Sequence, residues 1–313
     1  MLALASPASL KGVLGAAAAA EALGEGLRAG GASAELLPVA DGGEGTADVL
    51  RAVLGGDWYD ARVADAFGEE HTARWLVLPD GTAVVEAAAA VPFEPARLDP
   101  LAASSRGFGQ LVRHALDARP RALVLCLGGT ATMDGGSPLA EALPALPSGT
   151  VALCDVRTTL WEAPRVFGPQ KGAAPHDVEA LERRLALLAE LVPYAELEGA
   201  GAAGGLGAAV AALGAELVPG ADWVLRAIGF HERLSRADLV VSGEGRVDAS
   251  THAGKAPAAV AAAARAAGVR CVVFGGVVES PLPDVETVAL SGDPAAAEDD
   301  LRALGRDLVA QSN

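Results

Sequence analysis

At each end of this chain, short apolar runs alternate with helical stretches, and several of the runs empty directly into a polar, glycine-rich loop. From the N-terminus the pattern predicts a strand over Leu2–Ser6, a helix over Val13–Arg28, a strand over Ala34–Val39 and a helix over about Ala47–Leu54. Toward the C-terminus it predicts strands over Leu239–Val241, Cys271–Phe274 and about Val285–Leu290, with helices over Pro257–Ala267 and about Ala295–Ala310. Such alternation is the signature of a parallel sheet with crossover helices. The middle reads differently. Asp80-Gly81 separates the strand-like runs Thr72–Leu78 and Thr82–Ala87, a hairpin signal. An amphipathic helix is expected over about 177–192, from Val178, Leu181, Leu185, Leu188 and Val192. A chain of 313 residues also exceeds the size at which one core grows easily. The expectation is an α/β protein of two domains. Residues 1–45 with 226–313 form a discontinuous parallel-sheet domain, and residues 46–225 form an inserted mixed α/β domain with the antiparallel hairpin.

Charge and composition narrow the partners. The formal charge of −16 argues against nucleic acid, whose phosphates need a basic face. Aromatic residues are only 4%, so few platforms exist for stacking a base or a sugar. An anionic substrate would need local Lys and Arg residues, helped by a divalent cation, to overcome the global field. The excess of Ala and Gly reads as close helix packing. Cys126, Cys154 and Cys271 sit in separate apolar runs, as buried free thiols suited to a reducing cytoplasm. Met1–Ala8 lacks the basic start of a secretory leader, and no apolar run is long enough for a bilayer span. The expected location is therefore cytoplasmic, with no membrane partner.

The chemistry concentrates in the loops that follow the strands. Asp41-Gly42-Gly43-Glu44-Gly45-Thr46 places two carboxylates and a hydroxyl ahead of a helix. Gly128–Gly136 offers backbone donors from Gly129 together with Thr130, Thr132 and Asp134, and Phe167–Gly172 adds Lys171. Ser242–Asp248, read as a loop, carries Gly243, Gly245, Arg246 and Asp248, and Lys255 follows. Ser105 and Arg106 stand at a helix start that suits a carboxylate or phosphate. Carboxylates beside glycine-lined anion sites are what magnesium–nucleotide chemistry requires, so the set leans toward phosphoryl transfer. A competing signal is Gly199-Ala200-Gly201-Ala202-Ala203-Gly204, which matches the dinucleotide fingerprint but follows a poor strand, Tyr194–Leu197. Gly254-Lys255 is not a Walker loop, because Ala249 and Ala256 occupy two of its fixed positions.

Taken in order, Ser9–Gly12, Val39–Thr46, Asp99–Leu101, Ser104–Gly107, Gly128–Gly136, Phe167–Ala173, Gly199–Gly207 and Ser242–Asp248 with Gly254-Lys255 resemble the bacterial type I glycerate kinase family. The resemblance implies ATP- and Mg2+-dependent phosphorylation of D-glycerate, usually to 2-phosphoglycerate. It also implies a Rossmann- or flavodoxin-like domain, discontinuous in sequence, and a cleft between two domains. In that frame Asp248 is the expected base, with Asp41 as runner-up. Lys11, Arg246, Lys171 and Lys255 are expected around the phosphates and the substrate carboxylate. Asp41, Glu44 and Asp134 are expected at the metal. Gly42, Gly43, Thr46, Ser105, Arg106, Gly129, Thr130, Thr132, Gly243 and Gly245 complete the expected binding loops. The partners are then D-glycerate and a nucleotide, and the chain is a monomer or homodimer. This chain departs from the family pattern at Ala8, where an acidic residue is usual, and at Met133, where a polar one is usual. Arg157-Thr158-Thr159 replaces a Thr-Asn-Pro-like segment. Two other readings stay open: a relative that is impaired or shifted in substrate, and an NAD-dependent oxidoreductase.

Overall fold

The structure is a computed structural model and describes residues 1–311. Its strands are β1 (Leu2–Ala5), β2 (Ser33–Leu36), β3 (Asp57–Ala64), β4 (Glu70–Val77), β5 (Thr82–Glu86), β6 (Ala122–Cys126), β7 (Val151–Cys154), β8 (Glu216–Pro219), β9 (Leu239–Val247), β10 (Arg270–Val278) and β11 (Glu286–Ala289). The chain divides into two compact units. One comprises Met1–Asp41, Asp48–Val53 and everything from Ala221 onward; the other comprises Gly42–Ala47 and Leu54–Gly220.

The first unit holds a five-stranded sheet in the order β11-β10-β9-β1-β2, parallel throughout. Its core is made by Ala3, Ala5, Leu23, Leu27, Val241, Phe274 and Leu301. The helix Ala16–Ala29 packs on the C-terminal helix Ala297–Ala310. Small residues set that approach: a Cβ on Gly26 would lie 2.1 Å from the Arg302 carbonyl oxygen, and one on Gly305 would lie 2.6 Å from that of Leu23. The Ala and Gly excess is therefore spent on backbone contact between helices. Gly26→Ala should accordingly destabilise the protein. Its gain in helix propensity is about 1 kcal/mol, against an overpacking cost of about 1–3 kcal/mol where the obstacle is backbone. Urea unfolding of the two proteins measures the balance, and a stabilised variant would contradict the close approach.

The second unit holds a six-stranded mixed sheet, β3-β4-β5-β6-β7-β8. The β3–β4 and β4–β5 pairs are antiparallel and the remaining pairs parallel. Leu76 pairs with Val84 and Val77 with Ala83, so Asp80-Gly81 does turn a hairpin. Asp80 Oδ1 accepts from the Thr82 amide at 2.9 Å, the local bond that makes Asp favourable there.

Two expected elements change. The helix expected over 177–192 is an α-helix only over Pro175–Ala186, followed by a 3-10 turn over Ala189–Tyr194. Leu188 breaks it at φ −85°, ψ 77°. Leu181 and Leu185 are buried as the spacing expects, but past the break Leu191 is the buried residue and Val192 is exposed. The second change matters more: the segment from Ser242 to Val247 is not a loop. It continues β9, with Gly243 opposite Phe274 and Arg246 opposite Val277 on β10. A Cβ on Gly243 would meet the Phe274 carbonyl oxygen at 2.3 Å, so only glycine admits that neighbour. The turn begins at Asp248 instead.

Candidate functional site

Within the first unit, β1 is followed by its neighbour β2 on one side, while β9, β10 and β11 run away on the other. The carboxyl ends of β1 and β9 therefore flank a topological switch point, where open parallel sheets bind ligands. Lys11 follows β1 in a tight turn in which the Val13 and Leu14 amides donate to the Leu10 carbonyl. Gly245 on β9 lets that turn come close, since a Cβ there would lie 3.3 Å from Leu10 Cα. Past β9, the Ser250 amide and hydroxyl both donate to Asp248 Oδ1, at 2.7 and 2.5 Å. The Thr251 hydroxyl donates to Glu244 Oε1 at 2.7 Å, and Lys255 Nζ stands 3.8 Å from Glu244 Oε2. Lys11, Glu244, Arg246, Asp248 and Lys255 line one pocket of about 400 Å3.

Two acids of this pocket, Glu244 and Asp248, are tuned in opposite directions. Burial pushes the Glu244 carboxyl above the ordinary range, despite Lys255 and the Thr251 hydroxyl, and Asp41 and Asp248 add to the rise. Asp248 is held below its ordinary value, chiefly by its bond from the Ser250 hydroxyl. A proton acceptor works best with a pKa near the working pH, and of these two carboxyls only that of Glu244 is shifted upward. Arg246, expected at the phosphates, forms an ion pair with Glu279, both about half exposed.

The second unit gathers another set. Ser105 donates through its amide and its hydroxyl to Asp134 Oδ2, at 2.7 and 3.0 Å, and the Gly136 amide donates to Oδ1 at 3.1 Å. Asp134 is buried, and desolvation raises its carboxyl above the ordinary value despite these donors. Lys171 is buried too, its ammonium donating to the Thr132 carbonyl at 2.8 Å. Desolvation holds Lys171 down to about 8, against the pull of Asp155 and Asp134. The Thr132 hydroxyl donates to the Ala203 carbonyl at 3.1 Å, and Thr130 is buried beside it. Ser105, Thr130, Thr132, Asp134 and Lys171 thus brace the loop from within.

The glycine loop of residues 42–46 reaches the same place: a Cβ on Gly128 would lie 2.8 Å from Gly43 Cα and 2.7 Å from Asp155 Oδ2. Gly42 is backed by Leu153, and Gly129 by Glu44. Thr46 donates to the Gly43 carbonyl at 2.7 Å, while Glu44 and Arg106 are exposed. Met133 is fully buried against Ala163 and Leu181, so its apolar side chain is a core residue. Ahead of Gly199 stands the 3-10 turn Ala189–Tyr194 rather than a strand, so the dinucleotide fingerprint lacks its context. Among the described residues, no group of three His, Cys, Asp or Glu side chains converges as a metal site. No helix among them is long and apolar enough to cross a membrane. Glu244 and Asp155 were given no role from the sequence. The usable signal for Glu244 was strand alternation through Val247, which a loop reading of Ser242–Asp248 hides.

A parallel sheet that presents carboxylates and lysines at its switch point is the layout of a small-molecule α/β enzyme, and the second α/β unit carries braced glycine loops of its own. The glycerate kinase family model matches residues 3–148 and 146–292. Glycerate 2-kinase of Escherichia coli K12 is 36% identical over 83% of this chain and 81% of its own. Glycerate kinase of Bacillus subtilis 168 is 36% identical over 87% of this chain and 84% of its own. A solved chain from Salmonella typhimurium LT2, assigned as a glycerate kinase 2, superposes with a TM-score of 0.82 at 32% identity, covering 100% of this chain and 98% of that one. The chain belongs to the glycerate kinase family.

Proposed function

We propose that this chain is an ATP- and Mg2+-dependent kinase that phosphorylates D-glycerate to 2-phosphoglycerate. The enzyme works in the cytoplasm as a monomer or homodimer. The observation that carries the reading is the pairing of partly buried Glu244 with Lys255 at the carboxyl end of β9, in a pocket that Lys11 also lines.

The residues fit a magnesium–nucleotide. Mg2+ keeps several waters and takes only one or two carboxylates together with substrate phosphates, so it needs no cage of three protein ligands. Asp41 and Asp248, which both act electrostatically on Glu244, are the acids we assign to the ion or its waters. When bound, the ion neutralises charge on the phosphate oxygens. Lys11 and Lys255 supply the protein's share of that neutralisation. Glu244 takes the hydroxyl proton of the acceptor, and Thr251 holds its carboxylate in place. Asp134, whose oxygens both receive protein donors, shapes the Gly128–Gly136 loop rather than holding the metal.

A coupled ADP-release assay with D-glycerate and Mg-ATP tests the activity, and 31P NMR of the product reads which hydroxyl is esterified. Turnover giving a 2-phosphate ester is expected. Absence of D-glycerate-dependent ADP release at high enzyme concentration would overturn the reading.

A further inference from the structure

The pocket of the first unit extends beyond the residues used so far, and its remaining walls are unlike the cationic one. Val13 and Val277 line it while 42% and 41% exposed, although most valines of this unit's strands are fully buried. Leu290 lines it as well. Segment 290–300, past β11, closes that side with Asp293 and Asp300. It is held in shape from within. Asp293 Oδ1 accepts from the Ala295 amide at 2.9 Å, and Asp300 Oδ2 accepts from the Ser291 amide and hydroxyl at 3.0 and 2.6 Å. The family match ends at residue 292, so most of this wall lies outside it.

Resting on the kinase reading above, we propose that this pocket seats the nucleoside moiety of the nucleotide, with its base against Val13, Val277 and Leu290 and its phosphates directed to Lys11 and Lys255. Three observations carry it. The volume, about 400 Å3, falls in the range of small-molecule sites, roughly 300–1,000 Å3. Two water-exposed valines in one concavity favour an apolar, uncharged occupant, which a hydroxy acid is not. Charge then sets the direction. Lys11 and Lys255 line the same pocket as Asp293 and Asp300, so a polyphosphate is drawn to the lysines and away from the two aspartates. The acceptor acid, itself anionic, has no apolar group to place on the valines. With so few aromatic residues in the chain, an aliphatic wall is the means of holding a base.

The test uses the full chain with Val277→Glu and Val13→Glu, both at exposed positions, with thermal melts to confirm folding. Isothermal titration with ADP reads binding without turnover, and KM values for ATP and D-glycerate are measured alongside. Removing apolar contact and adding negative charge should raise the Kd for ADP and the KM for ATP at least about tenfold, with the KM for D-glycerate little changed. An unchanged Kd for ADP in both folded variants would overturn the proposal. A rise confined to the D-glycerate KM would do so too, making this the acid's pocket and leaving the kinase reading intact. If the wild-type chain binds ADP, the variants weaken that binding and D-glycerate is not turned over, the nucleoside site stands and the kinase reading falls. Failure of wild-type protein to bind ADP overturns both.

Discussion

Glu244→Gln is expected to lower kcat by about 10²–10⁴-fold, the range for removing a general base, without weakening ADP binding. Glutamine keeps the size of the side chain and can still accept from Thr251, so the fold around β9 should persist. What it loses is the proton acceptor. The pH profile separates this from a structural effect. Burial raises the Glu244 carboxyl, so wild-type kcat should fall as pH drops through a value above the ordinary carboxylate range. That acidic limb should be absent from the residual activity of the variant. Asp248→Asn should cost less, because Asp248 is already held below its ordinary value by the Ser250 turn and makes a weaker base. If Asp248→Asn costs more than Glu244→Gln and alone removes the limb, the proton acceptor is Asp248.

Lys171→Met should change the pH dependence of stability by roughly 3 kcal/mol across one alkaline window. The Lys171 ammonium is held down to about 8 from 10.5, and every tenfold loss of proton affinity corresponds to about 1.4 kcal/mol. The sign follows from proton binding. Between pH 8 and 10.5 the unfolded chain keeps a proton on this lysine that the folded chain has released, so stability rises with pH there. Below about pH 8 both states are charged, and the cost of burying the ammonium is fully present. Cys154, raised to about 12 by burial, acts in the opposite sense above the ordinary thiol range, as does Cys271. Both thiols are present in the two proteins and cancel in the difference. Urea unfolding of wild type and Lys171→Met at pH 7.5 and pH 10.5 measures it. A difference that does not grow in favour of wild type would mean that Lys171 is not a desolvated cation.

Much of the architecture was legible along the chain. The β4–β5 hairpin was readable because Asp80-Gly81 makes its turn with local bonds alone. The buried face of Pro175–Ala186 was readable because helical spacing reports burial directly. The site was legible as a set of loops and less so as roles. Arg246 and Glu279 are 33 positions apart, and no local pattern links them. Met133 looked like a lost polar group, because its neighbours in sequence are polar and its neighbours in space are Ala163 and Leu181.

The strand–helix alternation, the family blocks and the carboxylate–lysine chemistry are properties of order and composition, and they stand without coordinates. The family match agrees with the family blocks, and the parallel sheet of the first unit with the alternation. Only tertiary structure decided that Ser242–Val247 is strand, since it pairs with β10 and a Cβ on Gly243 would collide with Phe274. Only tertiary structure set Glu244 and Asp248 apart. Desolvation depends on what surrounds a carboxyl group in space, and two acids four residues apart can be pushed in opposite directions.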